Sequence, residues 1–271
     1  MENNCLQAPV DPVRPAAGYI GGKRQLAKQL VALIADTPHL VYAEPFVGMG
    51  GVFFRRESAA KIEVINDYSG DVANLFRILQ RHYPQFMETL KFQITSRREF
   101  ERLKVCEPAT LTDLERAARF LYLQRLTFGG KVSGRTFGVD LGKSGRFDVT
   151  RLAPILEAIN ERLAGVTIEN LPWSEFVRRY DRPETLFYLD PPYWGHENDY
   201  GKEMFGRSEF EEMADVLAGI KGRFILSIND VPEIRDLFRD FAFDEVSLSY
   251  TAARNQAKKA RELIVSGGGS T

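Results

Sequence analysis

Residues 185–193 read Thr-Leu-Phe-Tyr-Leu-Asp-Pro-Pro-Tyr, an apolar run followed directly by an acid, two prolines and an aromatic residue. The run 185–189 has the length and the residue types of a buried strand. The two prolines fix φ and remove two backbone donors, and each pushes the residue before it into an extended conformation. Because ligands of open α/β sheets bind at the carboxyl ends of strands, we predict a rigid turn at a binding edge.

This turn presents a row of hydrogen-bond acceptors beside an aromatic ring. The acceptors are the carboxylate of Asp190 and the carbonyl oxygens of Asp190 and Pro191, and Pro192 leads directly into Tyr193. Such a row suits a planar ring that carries an exocyclic amino group, since two acceptors can receive its two hydrogens while the tyrosine stacks. The alternative is a proline-stiffened loop, which by chance would give this tetrapeptide about once per thousand chains of this length.

A second loop with the properties of a ligand site follows the apolar run at 40–42. It reads Ala-Glu-Pro-Phe-Val-Gly-Met-Gly-Gly over residues 43–51, and its glycines allow the backbone to approach a ligand closely. The third glycine of a dinucleotide fingerprint would fall on Phe53, which disfavours a pyrophosphate and a nicotinamide enzyme. Residues 61–67 form the next predicted strand, and Asp67 at its tip is placed to hold ribose hydroxyls. The two segments indicate a cofactor that carries adenosine without a diphosphate.

Taken together, these motifs resemble the Dam-type DNA adenine-N6 methyltransferases, which depend on S-adenosylmethionine and include phage-encoded members. The resemblance covers nearly the whole chain. The matching segments are Tyr-Ile-Gly-Gly-Lys at 19–23, Glu-Pro-Phe-Val-Gly-Met-Gly at 44–50, Asn-Asp at 66–67, Asp-Pro-Pro-Tyr at 190–193 and Phe-Ile-Leu-Ser-Ile-Asn-Asp at 224–230.

The resemblance implies a role for each matched residue. Asp190 and the Pro191 carbonyl would accept the two hydrogens of adenine N6, and Tyr193 would stack on the base. The cofactor would be held at its methionyl end, its ribose and its adenine. Its implied contacts are Tyr19, Lys23, Glu44 near the amino group, Phe46, the backbone at Gly48 and Gly50, Asp67 on the ribose, Phe176 on the adenine, and Glu175, where the family usually has Asp.

Bulk charge gives no indication of a nucleic-acid partner, because the chain of 271 residues has a net charge of −1. Local charge does, since residues 116–151 contain eight Lys or Arg against two Asp. Solvated faces often carry such runs, but the flexible segment 129–135 is both glycine-rich and basic, as suits phosphate contact. A second basic cluster lies near 254–261. The expected contacts with double-stranded DNA are Arg125, Lys131, Arg135 and Arg254.

Composition also limits the setting. The two cysteines, Cys5 and Cys106, do not form a disulfide framework, which favours a reducing compartment, and we expect a cytoplasmic protein. Three scattered histidines have no ligand spacing, so no metal is expected. No apolar run is long enough for a membrane span. We expect a monomer.

The alternation of strand and helix predicts an α/β fold with a doubly wound, mostly parallel sheet, similar to class I methyltransferases. Capping boxes predict helix starts at Ser96, Thr112 and Ser208. We expect a catalytic and cofactor-binding domain, a helical and loop-rich target-recognition subdomain without strands, and loose termini. These parts would be residues 16–71 with 150–266, residues 72–149, and residues 1–15 with 267–271, respectively.

The resulting hypothesis is methyl transfer from S-adenosylmethionine to N6 of an adenine in DNA that is flipped out of the helix. Two alternatives stay open at this point. In the first, the methyl acceptor is cytosine N4 or an adenine in RNA. In the second, the chain is a catalytically inactive nucleic-acid binder. The target sequence depends on which side chains reach base edges.

Overall fold

A computed structural model of the chain describes residues 7–23, 25–139, 142, 145–197, 205–252 and 256–269, with the backbone alone at 248–252 and 256–260. The strands are β1 (Gln7–Pro9), β2 (Val41–Glu44), β3 (Ser58–Ala60), β4 (Ile62–Asn66), β5 (Thr167–Glu169), β6 (Thr185–Leu189), β7 (Arg223–Asn229), β8 (Ala242–Ala252) and β9 (Gln256–Gly268). The helices are α1 (Ala27–Asp36), α2 (Gly70–Arg81), α3 (Tyr83–Leu90), α4 (Arg97–Val105), α5 (Asp113–Leu126), α6 (Val149–Arg162), α7 (Trp173–Tyr180), α8 (Ser208–Ala218) and α9 (Pro232–Leu237).

Seven strands form the central sheet in the order β5-β4-β2-β6-β7-β9-β8. The first five are parallel, whereas β9 is antiparallel to both β7 and β8. The chain runs outward from β2 through β4 to β5, returns to the centre at β6, and continues outward to β7. The prediction of a doubly wound, mostly parallel sheet is therefore confirmed. Its winding reverses between β2 and β6, where such sheets bind ligands.

The sheet separates two hydrophobic cores, because successive strand residues point to opposite faces. Tyr42 and Tyr188 belong to a core that includes residues of α1, α2, α5 and α6. Their neighbours Ala43 and Phe187 belong to a second core that includes residues of α7, α8 and α9. Helices cover both faces, so all of β6 and residues 42–44 of β2 are buried.

The segment between β4 and β5 is built from helices. Within residues 70–126 the structure has no strand, and the isolated bridge Thr127–Phe137 closes the loop that follows α5. The predicted capping box at Thr112 is confirmed with both of its hydrogen bonds. At Ser96 only the bond from the Glu99 backbone N–H to the serine hydroxyl forms, and the Glu99 carboxylate pairs with Arg102.

The helix predicted to start at Ser208 does begin there, but Ser208 is not its N-cap. Arg207 is the N-cap of α8, and Ser208 is the first helical residue. The preceding turn explains the difference, because the N–H groups of Glu209 and Phe210 already donate to the carbonyl oxygens of Gly206 and Arg207. The Ser208 hydroxyl therefore has no orphan N–H to cap.

Parts of both expected loose termini are paired. Residues 7–9 form β1, which runs antiparallel to β3, a strand that the sequence did not indicate. The Ser58 hydroxyl donates to the Gln7 side-chain oxygen at 2.6 Å. A proline is compatible with this two-stranded edge because it can still offer its carbonyl. At the other end β9 continues to Gly268, and the Gly269 N–H donates to the Gly222 carbonyl. In the described part of the chain, no helix combines the length and hydropathy that a membrane crossing requires.

Candidate active site

A cavity of about 300 Å³ lies at the carboxyl ends of β2, β4 and β6, next to the point where the winding reverses. Its walls come from the segment before α1, from three strand-end loops and from single residues of two other loops. The lining residues that matter below are Gly18, Tyr19, Lys23, Glu44, Phe46, Val47, Gly48, Met49, Val52, Asp67, Val132, Asp190, Pro192 and Phe205. The cavity therefore brings together the three motifs at 19–23, 44–50 and 190–193.

Lys23 joins the first motif to the turn at 190–193. Its side chain is only 2% exposed, and its ammonium nitrogen lies 2.5 Å from Oδ1 of Asp190. The same nitrogen donates to the Tyr193 hydroxyl at 2.8 Å and lies 4.3 Å from the centre of that ring. One buried cation thus fixes both the acid and the aromatic residue of the turn.

The environment of Asp190 raises the affinity of its carboxyl group for a proton. Burial raises the pKa of Asp190 to about 6, although the Lys23 ammonium beside it acts in the opposite direction. The side chain keeps 21% of its surface exposed, on the side of the cavity. At neutral pH the group is mainly a carboxylate, yet its pKa is close enough to 7 for it to accept a proton.

The turn at 190–193 is held from β7 by Asn229. The side-chain oxygen of Asn229 accepts the Trp194 N–H at 2.9 Å, and its side-chain nitrogen donates to the Trp194 carbonyl at 3.1 Å. The Tyr193 carbonyl accepts the N–H of His196 at 2.8 Å. Pro191 and Pro192 are buried and have no N–H group that would need a partner. The turn is therefore held on the C-terminal side of the acid by these hydrogen bonds and stiffened by its two prolines.

The glycines of the loop after β2 serve two different contacts. Gly48 has φ of 51°, and a Cβ there would lie 3.0 Å from the Tyr19 ring, so the loop and the first motif meet closely. Gly50 has φ of 71°, and a Cβ there would lie 2.3 Å from the Phe54 ring. Gly50 is not among the described residues that line the cavity, and its requirement for glycine comes from packing.

Asp67 follows β4 and lies in the cavity wall with both carboxylate oxygens hydrogen-bonded. Oδ2 accepts the N–H of Gly48 and Oδ1 accepts the N–H of Ser69, each at 2.8 Å. Burial raises the pKa of Asp67 to about 6 despite these bonds. Each carboxylate oxygen can accept more than one hydrogen bond, so the group retains capacity for hydroxyl donors.

Glu44 ends β2 and is buried at the base of the cavity. The Tyr42 hydroxyl donates to its Oε2 at 2.7 Å, and the Arg56 guanidinium lies 3.8 Å from the centre of the Tyr42 ring. Burial raises the pKa of Glu44 to about 8. The carboxyl group is mainly protonated at pH 7, and a cation placed against it would favour the ionised form.

The structure does not bring Glu175 and Phe176 to the described cavity wall. Glu175 lies on the exposed side of α7 and pairs with Arg179 at 2.9 Å, whereas Phe176 is buried in the second core. The helical period explains this placement, since the buried face of α7 carries Trp173, Phe176 and Val177. Trp173 instead contacts the cavity residue Phe46, with ring centres 6.3 Å apart.

Two of the four basic residues expected on DNA point into the protein. The Arg125 guanidinium donates to the carbonyl oxygens of Ala16 and Arg146, and Arg135 lies against the Phe120 ring at 5.6 Å. Burial lowers the pKa of both guanidinium groups. Lys131 is exposed and directly precedes Val132, which lines the cavity. Arg254 lies outside the described residues.

A shallower basic recess lies on the far side of the segment that carries Ala17 and Gly18. These two residues line both the recess and the cavity. The other lining residues are Arg125, Gly145, Arg146, Asp148 and Arg151. Among the described residues, no group of three or more His, Cys, Asp or Glu side chains is arranged to hold a metal ion.

A doubly wound sheet of this strand order, with an antiparallel pair at one edge and an Asp-Pro-Pro-Tyr turn beside a glycine-rich loop, is typical of the class I methyltransferase fold. The chain belongs to the D12 class N6 adenine-specific DNA methyltransferase family, whose family model matches residues 19–252. The protein is therefore an adenine-specific DNA methyltransferase, and the prediction that it methylates adenine N6 in DNA is confirmed.

Curated relatives extend along nearly the whole chain. The type II methyltransferase M1.LlaDCHI of Lactococcus lactis subsp. cremoris is 27% identical over 98% of this chain and 100% of its own. The type II methyltransferase M.CviBI of Paramecium bursaria Chlorella virus NC1A is 22% identical over 93% of this chain and 96% of its own. The DNA N-6-adenine-methyltransferase of Escherichia phage P1 is 26% identical over 85% of this chain but only 33% of its own length.

Proposed function

We propose that the cavity binds S-adenosylmethionine and that the turn at 190–193 holds the amino group of a flipped adenine against it. The observation that carries this proposal is the buried contact of Lys23 with Asp190 and Tyr193 at the edge of the cavity. It fixes an acceptor and an aromatic ring beside a cavity with apolar walls and two further carboxyl groups.

The donor set of the cavity fits this cofactor. Asp67 keeps acceptor capacity for ribose hydroxyls, and Glu44 is a buried carboxyl group that a cationic α-amino group would ionise. Phe46, Val47 and Met49 offer apolar surface. When bound, the cofactor supplies a sulfonium-activated methyl group. Tyr19, which packs on Gly48, and Lys23 would then lie at the methionyl end.

Asp190 and the Pro191 carbonyl would accept the two hydrogens of adenine N6. Lys23 already occupies Oδ1 of Asp190, so Oδ2 and the Pro191 carbonyl are the acceptors that we assign to the amino group. Both acceptors favour a pyramidal nitrogen whose lone pair points at the methyl group. The main contributions are positioning and electrostatics, because the methyl donor is already a strong electrophile.

The proton of N6 would leave after the N–C bond has formed. Asp190 is placed to receive it, since its pKa is about 6 and part of its side chain remains accessible from the cavity. The carboxyl group can then pass the proton to solvent. The transfer gives 6-methyladenine, the demethylated thioether and one released proton.

The target base would have to leave the DNA stack, because Asp190 lies at the edge of a cavity and not on an open surface. Tyr193 is partly exposed beside it and would stack on the extruded ring. We assign DNA recognition to the helical segment 72–149, which lies between β4 and β5 along the chain. Lys131 and the basic recess with Arg146 and Arg151 are its phosphate-binding candidates, because Lys131 is exposed beside the cavity residue Val132 and the recess shares Ala17 and Gly18 with the cavity.

The decisive experiment is labelling with Asp190→Asn, which keeps the size of the side chain and replaces an acceptor by a donor. Wild-type protein, labelled S-adenosylmethionine and duplex DNA should yield labelled 6-methyladenine after nucleoside digestion. The variant should lose at least about two orders of magnitude in rate, the usual effect of removing one group that acts in the transition state.

Asp181→Asn is the matched control, since Asp181 accepts the N–H groups of Lys221 and Gly222 on another part of the sheet. It should label DNA at the wild-type rate. Label in N4-methylcytosine, or preferential labelling of RNA, would replace adenine in DNA as the substrate. Undiminished transfer by Asp190→Asn would reject the proposed chemistry.

A further inference from the structure

Gln124 lies at the end of α5, where the helical segment meets the segment before α1. Its side chain is buried, with only 1% of the residue exposed. Its amide nitrogen donates to the Gly18 carbonyl at 2.9 Å and to the Gly130 carbonyl at 2.7 Å. One side chain therefore ties the helical segment to a backbone that lines the cavity.

The Gly130 carbonyl is shared by both sides of this contact. It accepts the Ile20 N–H at 3.0 Å in addition to the Gln124 amide. A Cβ at Gly130 would lie 3.0 Å from backbone atoms of Gly18 and Tyr19, so the turn after α5 rests directly on the first motif. The two backbones touch, and Gln124 closes the contact.

The first motif carries this contact to the reactive groups. Two residues beyond Ile20 the chain reaches Gly22 and then Lys23, whose ammonium holds Asp190 and Tyr193. Tyr19, in the middle of the same segment, packs on Gly48 of the loop after β2. Any displacement of residues 18–20 would move both Lys23 and the Tyr19 ring relative to the cavity.

We propose that Gln124 is a positioning residue that couples the helical segment to the placement of Lys23 and Tyr19 at the cavity. The inference rests on the proposed function, because it assumes that the cavity is the cofactor site. The helical segment is then part of the cofactor site as well as a DNA-binding element. DNA that binds this segment acts directly on the wall that holds Lys23.

Loss of the Gln124 side chain should lower the population of molecules in which residues 18–23 occupy the binding-competent position. Without its two donors the segment 18–23 samples other positions, and only the competent fraction binds cofactor. The apparent dissociation constant rises by the inverse of that fraction. Two buried hydrogen bonds are enough to change such a fraction by about tenfold.

Gln80 offers a matched control. It ends α2, and its amide also donates to two backbone carbonyls, those of Leu163 and Val166, each at 2.8 Å. That contact joins α2 to α6 and the start of β5, away from the described cavity lining. Gln124→Met and Gln80→Met make the same chemical change and keep the side-chain length. The Gln124 side-chain oxygen also accepts a hydrogen bond from Arg135 at 3.4 Å, which Gln124→Met removes as well. The melting temperatures of the two variants are therefore not directly comparable, and cofactor affinity is compared instead.

The first readout is S-adenosylmethionine affinity measured by calorimetry without DNA. Gln124→Met should bind about tenfold more weakly than the wild type, and Gln80→Met within about twofold of it. The second readout is the acid limb of kcat/KM, which should move to higher pH only in Gln124→Met, because the Lys23 ammonium is then held less firmly at Asp190. If Gln124→Met does not fold, Gln124→Asn, which is one methylene shorter, is measured in its place.

Equal cofactor affinity for Gln124→Met and the wild type would overturn the inference, as would an equal loss in both methionine variants. Failure of the proposed function is distinguishable, because it would show in the wild type as an absence of cofactor binding or of methyl transfer. Failure of the coupling shows only in the variants, in a protein whose wild type binds cofactor and transfers the methyl group.

Discussion

The ammonium of Lys23 and the carboxylate of Asp190 form one buried ion pair, 2.5 Å long, between the beginning of the chain and the turn that follows β6. The Lys23 side chain is only 2% exposed and the Asp190 side chain 21% exposed, so solvent screens the pair little. The Lys23 ammonium lowers the pKa of Asp190, and removal of one partner would leave the other as a buried charge without compensation. Activity should therefore report the pair directly.

Lys23→Met should move the acid limb of the pH-rate profile upward. In the wild type the Asp190 carboxylate, with a pKa of about 6, loses its acceptor form below pH 6, so kcat/KM falls there. Without the ammonium the pKa rises further, and the limb shifts by roughly one unit or more. The profile of kcat/KM against pH measures this shift. Lys28→Met, on the exposed side of α1, is the control; a limb that stays in place in Lys23→Met contradicts the assignment.

Glu44→Gln should stabilise the protein at high pH and leave it unchanged at low pH. The folded pKa of about 8 lies above the unfolded value, so the stability associated with the neutral group is complete below about pH 4.5 and is lost as the pH rises toward 8. Glutamine stays neutral and should raise the free energy of unfolding by an amount on the order of 4 kcal/mol at pH 8. Thermal melts at pH 5 and pH 8 test this; equal gains at both pH values would mean that Glu44 does not titrate in this range.

The same variant should bind cofactor more weakly, because an amide cannot ionise against a cationic amino group. A gain in stability together with a loss in cofactor affinity would show that Glu44 serves binding and lowers the free energy of unfolding of the wild type. Thermal melts measure the change in stability, and titration calorimetry on the same preparation measures the change in cofactor affinity.

The sequence was sufficient for the centre of the fold because its motifs lie at strand ends. The apolar runs before Glu44, Asp67 and Asp190 each became a strand of the parallel sheet, and parallel strands align their carboxyl ends. Topology then brought the three acids to one cavity, although the chain separates them widely. Helix period and capping chemistry gave the helices their approximate bounds.

The sequence was not sufficient for contacts that depend on tertiary packing. Arg125 was expected to contact DNA, yet its guanidinium donates hydrogen bonds to two backbone carbonyls. No local sequence pattern predicts which carbonyls lie beside a side chain in the folded protein. Gln124 and Asn229 were missed for the same reason, since a polar residue in an apolar helix or strand end does not reveal its partner. Glu175 was assigned by similarity of position, but the face of a short helix depends on where that helix begins.

Asn229→Ala should lower kcat more than its effect on stability explains. It removes two hydrogen bonds to the Trp194 backbone, at a cost of about 1–3 kcal/mol in unfolding free energy. The loosened turn should also lower kcat by about tenfold or more, because small misplacements of reacting groups are costly. Asn160→Ala is the control, since Asn160 also donates to two backbone carbonyls, at 2.7 and 3.2 Å, in another part of the protein. Equal kcat for both variants at matched stability would assign Asn229 a purely structural role.

We expect Lys131 to act as a DNA contact and Arg125 as a structural residue. Lys131→Ala should reduce the slope of log affinity against log salt by about one and leave the melting temperature unchanged, as expected for an exposed phosphate contact. Arg125→Met should lower the melting temperature, because the carbonyl oxygens of Ala16 and Arg146 lose their donors. Fluorescence anisotropy with duplex DNA at several salt concentrations, combined with thermal melts, measures both quantities. A reduced salt slope in Arg125→Met at an unchanged melting temperature would instead place its guanidinium on phosphate, as the sequence alone predicts, and would require it to leave those two carbonyls when DNA binds.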